Sequence, residues 1–379
     1  MIINLDHFQS EKHGLWTLIL IWAILQIIAA VYFEMRVSVD SELYINNAIN
    51  LTQGEIPDGR EFFYSSYSLL IAIVYLINLD PLYTIFFHLL SALAAIICIY
   101  KITQQISNKN ATAFIAALLY VVWIKFQQWN LILYTDALFA NLVVVSTYVL
   151  FTAKKPPQML LALVLIVFTS LLRPLGIGLL LAVIVYSGFS FFKRSKINLM
   201  PSVLIYSLVI LVSILSINKI LSPFIDSFIE SYSNAEVIYP KISLFMSKPE
   251  SLIIPNKDHE PLIRLLLIIF KNPLYFIKIS TIKGLLFIGH IKPYYSRVHN
   301  ALIIGFLYPI YFFAAKGYKL LPTKKVKLFI FMFIGFQFLA VSLTSENWDG
   351  RFLLAVLPFI FVLSALGIMN SAEKTCTKR

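Results

Sequence analysis

The chain has 379 residues, 59% of them hydrophobic and only 13% charged, with a formal net charge of +12. A soluble domain carries about 45–50% apolar and about 25% charged residues, so this composition excludes an ordinary soluble protein and points to a polytopic membrane protein. The basic excess does not call for nucleic acid, because the lysines and arginines sit in short connections where the positive-inside bias accounts for them.

Apolar runs long enough to span, or nearly so, occupy 14–33, 81–100, 111–126, 135–153, 158–172, 174–192, 199–220, 299–315, 327–343 and 351–369. The first is long for a signal-peptide core and lacks a small-x-small cleavage site, so it is expected to be a retained anchor. A further run, 62–79, is broken by Tyr64, Ser65, Ser66, Tyr67 and Ser68. Basic clusters lie at Lys101/Lys109, Lys154/Lys155, Lys193/Arg194/Lys196, Lys316/Lys319/Lys324/Lys325/Lys327 and Lys374/Lys378/Arg379. They share one side of a membrane only if 62–79 does not cross. The expected fold class is therefore all-α. It is a single integral-membrane domain over 1–379, with about ten transmembrane helices and further helices lying on the outer face.

That topology puts the first outer loop and its juxtamembrane helices at 34–80. It also puts outside the turn at 127–135, Arg173-Pro174, a large loop at 221–298 and the stretch 344–350. Within the large loop, Arg264, Lys271 and Lys278 are seven apart, which predicts an interfacial basic helix facing anionic headgroups, interrupted at Pro273. Cys98 and Cys376 offer neither a disulfide framework nor zinc spacing.

The chemistry-bearing residues collect on the outer side. Ser38 is a suitable cap for a helix running to about Gln53, and Asp40, Tyr44 and Asn47 then share one face, whereas Glu42 does not. Asp40 suits a general base or a metal ligand, and an acid in a first helical turn also simply favours the positive end of the helix dipole. Asp136 stands at the mouth of an apolar helix, as a cap or as a second site acid. Arg173 is either a snorkelling arginine or a phosphate ligand. Arg351 opens a helix from its N-terminal side, against the dipole, which calls for an anionic partner such as Asp349 or a ligand. Lys283, His290 and Arg297 are further outer cations.

These segments resemble the GT-C superfamily of integral-membrane glycosyltransferases, notably its protein O-mannosyltransferase-like and aminoarabinose-transferase-like group. The resemblance rests on Ser38-Val39-Asp40-Ser41-Glu42-Leu43-Tyr44, Tyr134-Thr135-Asp136-Ala137-Leu138, Leu172-Arg173-Pro174-Leu175-Gly176 and Trp348-Asp349-Gly350-Arg351-Phe352. A His-Pro-Pro-Leu-like segment common in the family is replaced by Tyr64-Ser65-Ser66-Tyr67-Ser68. The resemblance implies a carboxylate in the first outer loop as the catalytic group, at Asp40, with Asp136 as the supporting acid. It implies acceptor or metal support from Glu42, Tyr44, Tyr64 and Tyr67. The donor would be a sugar on a polyprenyl phosphate, its phosphate held by Arg173, Arg297, Arg351, Lys283 and His290. The acceptor would be a glycan, lipid or protein hydroxyl, and membrane lipids would be the surrounding partners. The resemblance fixes no cofactor, and Mg²⁺ or Mn²⁺ at Asp40 and Glu42 stays open, since carboxylates suit both ions. The expected location is a bacterial cytoplasmic membrane with the site facing outward. An envelope polysaccharide polymerase or ligase, and a lipid or sugar transporter, are the competing readings.

Overall fold

A computed structural model describes residues 10–194 and 217–376. The chain is all-α: among the described residues the strands are two dipeptides, Ile238–Tyr239 (β1) and Glu346–Asn347 (β2), paired in parallel. Most of the run at 199–220 lies outside the described residues.

Five stretches among the described residues are helical, long and apolar enough to cross a membrane: Glu11–Phe33, Pro81–Ser107, Thr135–Thr152, Arg297–Lys319 and Lys324–Leu343. A helix of 23 residues rises about 34 Å, enough for a hydrocarbon core of about 30 Å. The chain folds into two compact units. The first comprises 1–183, 291–334 and 353–379, and the second 184–290 and 335–352.

The first unit begins with α1 (Glu11–Phe33), α2 (Val39–Thr52) and α3 (Ser65–Leu76). Twelve residues of α3 rise about 18 Å, short of a bilayer core. A helical turn at Pro81–Thr84 then leads into α4 (Ile85–Ser107), with the Asp80 carboxylate accepting the Leu82 N–H at 2.7 Å. Next come α5 (Asn110–Val122), α6 (Ile124–Trp129), α7 (Thr135–Thr152), α8 (Pro156–Ser170) and α9 (Ile177–Arg194), which runs on into the second unit.

Pairings at the two ends of this unit show how the helices alternate. At one end Glu11 pairs with Lys101, and Lys109 with Glu373. At the other, the backbone of Arg36 lies between Leu131 and Leu133, donating to the first and accepting from the second at 3.1 and 3.0 Å. Helices α13 (Arg297–Lys319) and α15 (Leu357–Cys376) cross backbone to backbone. A Cβ on Gly317 would stand 1.8 Å from the Leu363 carbonyl oxygen, and one on Gly367 2.0 Å from that of Phe313.

In the second unit, residues 217–233 form α10, followed by α11 (Pro261–Lys271) and α12 (Pro273–Gly289). The end of α14 (Lys324–Leu343) enters it from the first unit. Its core joins Ile225, Ile229 and Tyr232 to Val237, Ile268 and Phe276. The 260–292 segment is two helices rather than one, since Pro273 supplies no N–H to continue α11. Asn272 fills the break, exchanging hydrogen bonds with the Ile253 backbone at 3.0 and 2.8 Å. Arg264 does not share an outward stripe with Lys271 and Lys278: it is buried, 2.7 Å from Asp226.

Replacing Gly367 by leucine is expected to force α13 from α15 and to cost about 1–3 kcal/mol. A lowered unfolding temperature in lipid, with no such loss for leucine at the open position Gly305, is the measurement.

Candidate active site

The site is built at the end of the first unit where Arg36 is held. Ser38 caps α2, and its N–H donates to the Ser41 hydroxyl at 2.9 Å. Ser41 is buried and donates in turn to the Leu133 carbonyl at 2.7 Å. The Asp40 N–H donates to the Tyr134 hydroxyl at 3.0 Å. Residues 36–41 are therefore laid along 131–134, which sets the Asp40 N–H on Tyr134 at the entry of α7, two residues before Asp136.

The face that the α2 periodicity predicts is the face that packs. Tyr44 and Asn47 are buried beneath a half-buried Asp40, and Glu42 is exposed. The Tyr44 ring meets Tyr64, Tyr67 and Tyr134 at centroid distances of 5.2, 5.1 and 6.2 Å. The tyrosines chosen from the first loop and α3 thus form one cluster with Tyr134. The Tyr67 hydroxyl lies 3.0 Å from His88 Nε2, and both residues are wholly buried. The Ser66 N–H donates to the Leu171 carbonyl at 3.1 Å, which ties α3 to the segment carrying Arg173.

Asp136 and Arg173 are both buried and form an ion pair, with the guanidinium also 5.7 Å from the Phe139 ring centroid. Two charges removed from water cost several kcal/mol each, and only close pairing offsets that. Asp136 is therefore electrostatically balanced by Arg173, and Asp40 is the acid with access to solvent. Arg297 is an exposed residue at the start of α13.

Lys283, His290 and Arg351 belong to the second unit. Lys283 is buried and donates from Nζ to the Thr344 carbonyl. Burial pulls its pKa down to about 8, against the pull of Glu236, whose own carboxyl is raised by burial. His290 packs under Gly350, whose φ of +69° and whose missing Cβ, which would stand 2.2 Å from the imidazole Cε1, both require glycine. The backbone N–H of Arg351 donates to the Asp349 carboxylate at 3.2 Å. No group of three His, Cys, Asp or Glu side chains is placed to hold a metal among the described residues.

Sequence reasoning missed His88, because a single histidine in an apolar run reads as a core residue. It also missed the amides below the site. Asn141 donates to Ser91 at 3.0 Å and accepts from Tyr120 at 2.6 Å, and Asn130 reaches Gln26 at 3.3 Å. Their signal was available: polar amides inside spanning runs are costly unless paired. Glu236 and Glu346, both buried, were missed as well. Comparison with family models, curated proteins and solved structures finds no match to this chain.

Arg173→Gln is expected to cost about 3–5 kcal/mol by leaving Asp136 charged and unpaired, with much of the loss recovered on adding Asp136→Asn. Thermal unfolding of the single and double variants checks both. Lys283 supplies a pH test. Between about 8 and its ordinary value of 10.5 the unfolded chain holds a proton that the fold does not. Stability should therefore rise with pH through that window, and Lys283→Met should lose this increment.

Proposed function

We propose that this chain is a glycosyltransferase of the GT-C type, moving a sugar from a polyprenyl-phosphate donor to an acceptor hydroxyl at the outer face of a bacterial cytoplasmic membrane. The observation that carries the reading is one tyrosine cluster at an end of an apolar bundle, whose Tyr134 accepts the Asp40 N–H and stands two residues before Asp136, itself paired with Arg173. Ionisable groups inside such a bundle are expensive and mark function by default. The loop charges support a topology of about ten spans with the Lys101/Lys109 end inside, and in that topology the site faces outward.

In the proposed step Asp40 takes the proton of the acceptor hydroxyl as its oxygen attacks the anomeric carbon. The bond from that carbon to the phosphate oxygen breaks, and the polyprenyl phosphate leaves with the electron pair. One displacement inverts the anomeric configuration. Tyr64, the half-buried member of the cluster, offers an aromatic face and a hydroxyl to a sugar ring, with the buried Tyr44 and Tyr67 packed behind it. Asp136, its charge balanced by Arg173, supports the entry of α7 beside the tyrosines and adds no net charge at the anomeric carbon. Arg297, exposed at the start of α13 in the same unit, remains the candidate for the leaving phosphate, and Glu42 with Asp40 the candidate for Mg²⁺ or Mn²⁺. Glycan, lipid and protein hydroxyls all fit as acceptors.

Sugar transfer from a panel of radiolabelled polyprenyl-phosphate sugars to an envelope extract, by purified protein in lipid, tests the reading. Asp40→Asn, folded by its unfolding temperature, is expected to lose transfer by about 10²-fold or more. Transfer that survives intact would move the base away from Asp40. No transfer from any donor would favour a polymerase, ligase or transporter.

A further inference from the structure

Two helices of the second unit face the wrong way for water. Along α11, Arg264 and Ile268 point inward, and Ile263, Leu266 and Phe270 point outward. Along α12, Phe276, Ile279, Lys283 and Phe287 are buried, and Leu274, Ile277, Leu285 and Ile288 are exposed. On α11 these outward positions are three, four and seven apart and form one apolar stripe; on α12 they form two pairs, Leu274/Ile277 at the corner and Leu285/Ile288 eight residues on, with exposed Thr281 between them. Phe270 is 73% exposed and Leu274 83%, whereas Arg264 is 6% exposed and Lys283 1%.

A helix docked on a protein in water buries its leucines and exposes its cations. Here Asp226 draws Arg264 inward and the Thr344 carbonyl draws Lys283 inward. Large apolar side chains are left outside, as lipid requires and water penalises. The remaining cations of these helices, Lys271 and Lys278, are exposed on either side of Leu274 and Ile277 at the corner between them. Their stems are long enough to let a charge reach the phosphate level while neighbouring side chains enter the acyl layer. The stretch Lys257-Asp258-His259-Glu260, just before α11, is exposed and polar, as befits an exit to water. The second unit is also tethered at a bilayer by α14, which is apolar and long enough to cross one and ends within this unit.

We propose that the α11–α12 corner is a membrane-docking element whose occupant is one leaflet of an anionic phospholipid bilayer. Leu266, Phe270, Leu274 and Ile277 enter the acyl layer, and Lys271 and Lys278 meet lipid phosphates. This reverses the expectation of a basic helix face resting on headgroups, since the apolar face is the one presented. The inference rests on the second unit's own surface and stands or falls apart from any transferase activity.

The test uses the full chain with Cys98 and Cys376 replaced by alanine, reconstituted in mixed phosphatidylglycerol–phosphatidylcholine vesicles. Nitroxide labels on single cysteines at Phe270, Leu274 and Ile277, and at Asp258 as the aqueous control, are read for collision with oxygen and with a nickel chelate. The expected result is an oxygen-to-nickel ratio several-fold higher at the three corner positions than at Asp258. Ready collision with nickel at the corner overturns the proposal. So does protection from both reagents, which would mean that protein, such as a second copy of this chain, covers the face. The unsubstituted chain gives an independent reading with a lipid-borne diazirine: adducts at 266–277 are expected, and labelling of α13 without them also overturns it.

Discussion

Everything at the candidate site hangs on one clip, the backbone of Arg36 held between Leu131 and Leu133. Arg36 lies three residues past the end of α1, so its own N–H and C=O have no helical partner. Taking partners from 131–133 satisfies them and aligns 36–41 with the entry to α7. Ser41 and the Asp40 N–H then close onto Leu133 and Tyr134. Two acids 96 residues apart are thereby brought to one end of the bundle. The contacts that do this are mostly backbone contacts, so they constrain residue types only weakly.

Below the clip, the bundle solves a recurring problem of apolar surroundings, in which each polar group must find a partner nearby. Asp136 finds Arg173, Tyr67 finds His88, and Asn141 finds Tyr120 and Ser91. A pair such as Asp136–Arg173 contributes little net stability against an apolar substitute. The same pairing commits the Arg173 guanidinium to Asp136.

The second unit applies the rule with opposite geometry. It buries its cations Arg264 and Lys283 and shows leucines and isoleucines outward. Its hydrophobic core around Tyr232 and Ile268 is small and compact, and the outward stripe is not part of it. One principle covers both units: polar groups pair inward, and apolar side chains face the solvent that is present.

Composition and periodicity by themselves determined the class of structure, because apolar runs of spanning length can be little else than helices in lipid. They also determined α2, since Ser38 caps it and the spacing of Asp40, Tyr44 and Asn47 sets its buried face. Element ends near Gln53, Thr152 and Lys319 lay close to where the apolar pattern stopped. Partnerships were decided only in the tertiary structure. Arg173 read equally well as a phosphate ligand, and only the fold set Asp136 beside it. Arg264 read as part of an outward basic stripe, and only the approach of Asp226 from α10 turned it inward. His88 had no sequence mark until Tyr67 stood 3.0 Å away. Periodicity reports which face of one element avoids water, and it carries no information about which distant element will meet that face.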